Sequence, residues 1–129
     1  MKRILLIEDE ELIRSFLARA FDREGYYIGQ ACSYSEAMKK IGEGGWDLAV
    51  VDLNLYDGMR GIEIIREFHR SSPTTKIVVI TALDTEDIRE MVMKEGVEVV
   101  FDKPFEIANV RKAIKGILRS GEAKAVSVV

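Results

Sequence analysis

Near the middle of the chain stands Leu48-Ala49-Val50-Val51-Asp52-Leu53-Asn54. Leu48 to Val51 is a short apolar run with no polar alternation, as expected of a strand buried on both faces of a parallel sheet. It ends abruptly at an acid, Asp52. Upstream, Arg3 to Ile7 is a similar run, followed by Glu8 and Asp9. Downstream, Lys76 to Ile80 is β-branched and leads to Thr81, and Val97 to Phe101 leads to Lys103. Tyr27 to Cys32 reads as a weaker strand of the same kind.

The intervals have helical period. Between Glu10 and Glu24, Leu12, Phe16 and Ala20 and also Ile13, Leu17 and Phe21 recur at helical spacing, and Gly25 supplies a stop. Ser33 and Glu36 have the spacing of a capping box, opening a helix that ends near Gly42. A polar loop, Leu53 to Arg60, contains the turn pair Asp57-Gly58. A third helix is expected over Gly61 to Ser71, with Ile65 and Phe68 inward, before Pro73. Asp84 or Thr85 can cap a fourth, carrying Ile88, Met91 and Val92 and closed by Gly96. Ile107, Val110, Ile114, Ile117 and Leu118 mark a last helix, and beyond Gly121 the pattern stops. Residues 1–120 thus read as one domain and 121–129 as a tail, either disordered or the start of a linker.

Strands alternating with helices imply parallel pairing through right-handed crossovers, with helices covering both faces. The expected architecture is a five-stranded doubly wound α/β sheet. The chain of 129 residues suits one compact domain. Its net charge of −3 comes from interspersed acids and bases, so no basic block marks a nucleic-acid or membrane surface. The apolar runs are strand-sized, too short to span a bilayer. Met1-Lys2-Arg3 followed by Ile4 to Ile7 begins like a signal peptide, but Glu8 to Glu11 break the run, which argues against secretion. One cysteine, Cys32, cannot form an internal disulfide, in keeping with a cytoplasmic location.

In a parallel sheet all strand C-terminal ends share one edge, where ligands bind. Strands one, three, four and five deliver Glu8 and Asp9, Asp52, Thr81 and Lys103 to that edge. Two carboxylates ~5 Å apart repel by roughly 3 kcal/mol at an effective dielectric near 20. A cation must offset this. Lys103 is one, and Mg²⁺, which takes oxygen ligands and favours phosphate, is the better one. The edge therefore reads as a metal-assisted phosphoryl-transfer site. Singly, each residue has an ordinary reading. Glu8 to Glu11 can favour a helix N-terminus, Asp52 can form a turn, Thr81 can be a β-former and Lys103 a solvated lysine. The functional reading rests on their convergence.

The segments RILLIEDE, LAVVDLNLYDG, KIVVITA and FDKPF, in this order and spacing, resemble the receiver domains of two-component response regulators over about residues 2 to 119. The resemblance implies the flavodoxin-like strand order 2-1-3-4-5, for which a chemotaxis receiver is a known example. It implies Asp52 as phosphoacceptor, with Thr81 and Lys103 binding phosphoryl oxygens. It implies Mg²⁺ held by Glu8, Asp9, Asp52 and the backbone carbonyl of Asn54, and a cis Lys103–Pro104 bond. Small Ala82 should leave the site open. The implied role is signalling rather than turnover of a substrate. A sensor histidine kinase or phosphotransfer protein would donate, an effector domain or protein would respond, and a homodimer would form through the fourth helix, fifth strand and last helix.

Three positions depart from the family pattern. Glu8 stands where Asp is usual. Val100 replaces the switch aromatic, and alternation sends the neighbouring Phe101 to the opposite face, into the core. Tyr56 stands where Pro is frequent. A small hydrolase using Asp52 would want an acid at Asn54, and a nucleotide binder would want a glycine-rich loop in place of Glu8 to Glu11. A receiver kept only for protein binding would not need Asp52, Thr81 and Lys103 together. His69 is expected to be simply exposed, Cys32 a packed thiol, and Trp46 a buried ring. Met91 fits either the core stripe or, with Met93, an adaptable surface.

Overall fold

The computed structural model describes residues 1–54, 60–82 and 86–127, with side chains as far as residue 120. Strands β1 (Arg3–Ile7), β2 (Tyr27–Ala31), β3 (Leu48–Val51), β4 (Lys76–Thr81) and β5 (Val99–Asp102) form one sheet in the order β2-β1-β3-β4-β5. Every adjacent pair is parallel. Helices α1 (Glu11–Arg23), α2 (Tyr34–Glu43), α3 (Gly61–Ser71), α4 (Glu86–Met93) and α5 (Ile107–Ser127) connect or follow the strands. The strand order is the one the resemblance implied.

Period-two alternation divides the core into two layers. Leu5, Ile7, Ala49, Val51, Ile77, Val79 and Val100 pack with residues of α2, α3 and α4, notably Ile41, Ile64, Phe68 and Val92. Ile4, Leu6, Leu48, Val50, Val78 and Ile80 pack with Leu17 and Phe21 of α1 and Val110 and Ile114 of α5. Because both faces are covered, the central strands show no hydrophilic face, and this is why their sequences read as continuous apolar runs. Trp46 is buried, its Nε1 donating to the Lys40 carbonyl at 2.7 Å. The indole occupies space that a Cβ on Gly29 would fill, 2.3 Å from its ring.

Several sequence expectations are corrected. Only Ile13, Leu17 and Phe21 of the first helix face the sheet, whereas Leu12 and Phe16 are exposed. Those two lie about 100° around the helix from the buried row, beyond the contact stripe. Met91 is likewise exposed, because the four-residue step from Ile88 to Val92 fills the inward face of short α4. Cys32 is exposed rather than packed, lying just past the end of edge strand β2 with its thiol 3.4 Å from Glu36. The second helix runs to Glu43 and ends at Gly44, whose φ is 75°. The fifth strand starts at Val99, two residues later than expected, with Glu98 N–H already donating to the Ile77 carbonyl at 2.8 Å. Helix α5 continues to Ser127, beyond the point where its apolar pattern stops. Tyr56, the Asp57-Gly58 turn and the caps Asp84 and Thr85 lie outside the described residues.

Candidate functional site

Backbone hydrogen bonds carry the strand ladder one residue past the strand ends and thereby aim the functional residues. Glu8 N–H donates to the Ala31 carbonyl at 3.1 Å, Asp52 N–H to the Ile7 carbonyl at 3.0 Å, and Lys103 N–H to the Thr81 carbonyl at 2.9 Å. The first residue after β1, β3 and β5 is therefore as well fixed as the strand itself. On the far side, Gly61 opens α3 against this loop. A Cβ there would stand 2.4 Å from the Leu53 Cα, so only glycine permits the approach.

The Lys103 ammonium is the centre of the site. Its Nζ lies 2.8 Å from Glu8 Oε1, 3.2 Å from Asp52 Oδ2 and 3.3 Å from Glu10 Oε1. Asp52 is 3% exposed and Glu8 is 3% exposed. The second oxygen of Asp52 accepts the Asn54 N–H at 3.0 Å, and the second oxygen of Glu8 accepts the Glu10 N–H at 3.2 Å. Asp9 joins the group: one carboxylate oxygen from each of Glu8, Asp9 and Asp52 lies within 4.8 Å of the others. Asn54 donates its side-chain amide to the Ala82 carbonyl at 3.1 Å, tying the end of β3 to the end of β4.

Thr81 is completely buried at the end of β4, opposite Asp102 in the ladder. Its hydroxyl is the one buried side-chain polar atom among the described residues that makes no hydrogen bond. Such a group costs roughly 1–3 kcal/mol unless something is there to bond it.

The electrostatics are those of an anionic site short of positive charge. Burial is the main influence on Glu8 and pushes its carboxyl up to about 8, against the pull of Lys103 and with the help of neighbouring Asp52. Burial works against the Lys103 ammonium too, but the Glu8 and Asp52 carboxylates outweigh it and hold its pKa above the usual lysine range. One ammonium cannot balance this many carboxylates. The donor set is all oxygen, which fits a hard divalent ion such as Mg²⁺ and disfavours softer metals. The buried orphan hydroxyl of Thr81 fits a further acceptor brought in from outside.

The profile of the family described as the response regulator receiver domain matches residues 4–115. The chain belongs to the response regulator receiver family. It is similar to the sporulation initiation phosphotransferase F of Bacillus subtilis, with 30% identity over 91% of this chain and 94% of that protein. A CheY-like receiver domain protein from Methanospirillum hungatei superposes with a TM-score of 0.88, at 25% identity over 96% of this chain and 98% of its own. Response regulator TrrA from Thermotoga maritima, solved in complex with Mg²⁺-BeF, gives a TM-score of 0.78 at 29% identity, covering 90% of this chain and 98% of that one. The chain spans about half the length of the first curated relatives it matches, which are transcriptional regulatory proteins, covering 54% and 52% of them. It is thus a receiver domain homologous to two-component response regulators, and it carries an acidic pocket formed by Glu8, Asp9 and Asp52.

The residues that the sequence marked, Glu8, Asp9, Asp52, Asn54, Thr81 and Lys103, all lie at the C-terminal edge of the sheet. The Lys103–Pro104 peptide is cis. Val100 is buried against the α2–α4 layer, while Phe101 packs on the opposite face with the α1 and α5 layer, as alternation requires. His69 is exposed, with Nε2 2.5 Å from the Glu95 carbonyl, and Arg66 pairs with the Glu95 carboxylate. Sequence reasoning missed Glu10. In the sequence it is simply part of an acidic helix start, yet its carboxylate reaches Lys103. It also missed Arg14, which donates to the Glu8 carbonyl at 2.8 Å. Neither has a sequence signal, since both contacts depend on how α1 leaves the sheet. No helix among the described residues is long and apolar enough to cross a membrane.

Proposed function

We propose that Asp52 accepts a phosphoryl group from a phosphohistidine of a sensor histidine kinase or phosphotransfer protein, and that the domain works as a switch rather than as an enzyme with a released product. The observation that carries this reading is the buried Asp52 carboxylate paired with Lys103 at 3.2 Å, beside the acids of Glu8 and Asp9 and a buried hydroxyl that lacks a partner. In the transfer, an Asp52 oxygen forms a bond to phosphorus while the phosphorus–nitrogen bond of the donor breaks and its electron pair returns to the imidazole. The product is an acyl phosphate.

Each side chain has a part. Asn54 N–H holds one Asp52 oxygen, leaving the other, now facing Lys103, as the nucleophile. Lys103 moves from a carboxylate to a phosphoryl oxygen and offsets its charge. The Thr81 hydroxyl gains the acceptor it lacks. Mg²⁺ would be held by Asp9, Asp52 and the Asn54 carbonyl, and supplies charge stabilisation for the transferring group. Glu8, with one oxygen on Lys103 and the other on the Glu10 amide, would reach the ion through water. Residues 1–120 would form the signalling unit and 121–129 the tail or linker toward an effector. A homodimer through α4, β5 and α5 and a cytoplasmic setting complete the reading.

Incubation with Mg²⁺ and acetyl phosphate, followed by intact-mass measurement, tests it. One added phosphoryl group, absent from Asp52→Ala, is expected. Sustained multiple turnover on a small phosphoester would instead indicate a hydrolase.

A further inference from the structure

Glu10 occupies the N-cap of α1, where a short polar side chain normally bonds the first-turn amides. It makes no such bond. Its carboxylate turns away from its own helix and lies 3.3 Å from the Lys103 ammonium, which also contacts Asp52. Unlike Glu8 and Asp52, it is half exposed, so it stands at the mouth of the site rather than on its floor. It adds one negative charge to a pocket that already holds more carboxylates than Lys103 can balance.

We propose that Glu10 is a specificity-determining residue, whose rim carboxylate disfavours phosphoryl uptake from free, small anionic donors. The inference rests on Asp52 as the acceptor. A dianionic donor approaching Asp52 must pass within several ångströms of the Glu10 charge, whereas a protein donor that sets a cationic side chain against Glu10 escapes the penalty. Over ~6 Å in a water-like dielectric the repulsion of a dianion corresponds to roughly a sevenfold effect on rate at 10 mM salt. At 0.5 M salt it falls below about twofold.

The test uses Glu10→Gln, which keeps shape and removes charge, with Glu10→Asp as the charge-retaining control. Phosphorylation by acetyl phosphate, a dianion near neutral pH, should accelerate about sevenfold at low salt. Phosphoramidate, which carries less negative charge, should gain less, and both gains should shrink at high salt. In a second arm, Mn²⁺ binding without phosphodonor, followed by electron paramagnetic resonance, should weaken by a similar factor at low salt. Opposite movements of donor rate and cation affinity are the signature of a field; a merely structural role would lower both. An unchanged or slower acetyl phosphate reaction in Glu10→Gln, or a gain that persists in high salt, overturns the proposal. If the wild-type protein accepts no phosphoryl group, the Asp52 reading fails, and unchanged Mn²⁺ affinity in Glu10→Gln then overturns the role of Glu10 separately.

Discussion

Replacing Thr81 by valine should stabilise the metal-free protein while impairing the site. Thr81 is fully buried and its hydroxyl makes no hydrogen bond. Leaving a buried hydroxyl unbonded costs roughly 1–3 kcal/mol, and valine fills nearly the same volume with a methyl group. Valine also suits the last position of a strand. The expected gain is about 1 kcal/mol, which for a domain of this size raises Tm by roughly 3–5 °C. Urea unfolding in EDTA would show it as a higher midpoint at unchanged slope. The same variant should bind beryllofluoride with Mg²⁺ at least about tenfold more weakly, since a hydrogen bond to a charged acceptor is worth roughly 1.5–3 kcal/mol. Equal or lower stability of Thr81→Val would show instead that the hydroxyl is already satisfied in the resting protein, for instance by a buried water.

Other perturbations have definite signs. Glu8 titrates in the folded protein at about 8, above its ordinary value of 4.5, so the folded state binds this proton more tightly than the unfolded chain does. Stability from Glu8 is therefore fully present below pH 4.5 and lost as pH rises through 8; urea midpoints in EDTA should fall across that window, and Glu8→Gln should remove this part of the slope. Gly29→Ala places a methyl against the Trp46 ring and should cost about 1–3 kcal/mol, with a shift in indole fluorescence as the second readout. Arg89 pairs with Asp102 at 2.9 Å, linking α4 to the residue before Lys103. A double-mutant cycle on that half-exposed pair should return only about 0.2–1 kcal/mol in the resting protein.

The strands and the site were legible in the sequence for one reason. A parallel sheet buried on both faces forces apolar runs, and its topology forces their C-terminal ends onto one edge, so the run ends alone bring Glu8, Asp9, Asp52, Thr81 and Lys103 together. Helix faces were less legible. Leu12 and Phe16 follow helical spacing as faithfully as Leu17 and Phe21, and only the angle at which α1 lies on the sheet decides which row is buried. Met91 and Val92 pose the same ambiguity on α4. Contacts such as Lys103 to Glu10 or Arg14 to Glu8 join side chains whose reach depends on rotamers, and no spacing rule encodes them.

The places where this chain breaks local rules are concentrated at one edge. Away from it, Ser33 caps α2 by accepting the Glu36 amide, and the core layers alternate as a buried sheet demands. At the C-terminal edge, Glu8 is a buried carboxyl, Glu10 forgoes its own helix cap, and Thr81 hides an unbonded hydroxyl. Each departs from what stability alone would favour: the Glu8 carboxyl is desolvated, the first turn of α1 lacks a side-chain cap, and the Thr81 hydroxyl has no acceptor. On the proposed reading, a divalent cation would offset the carboxylates and a phosphoryl oxygen would give the Thr81 hydroxyl the acceptor it lacks. Local inconsistency of this kind, gathered among the described residues at one edge of a sheet whose core is otherwise regularly packed, is what a functional site looks like.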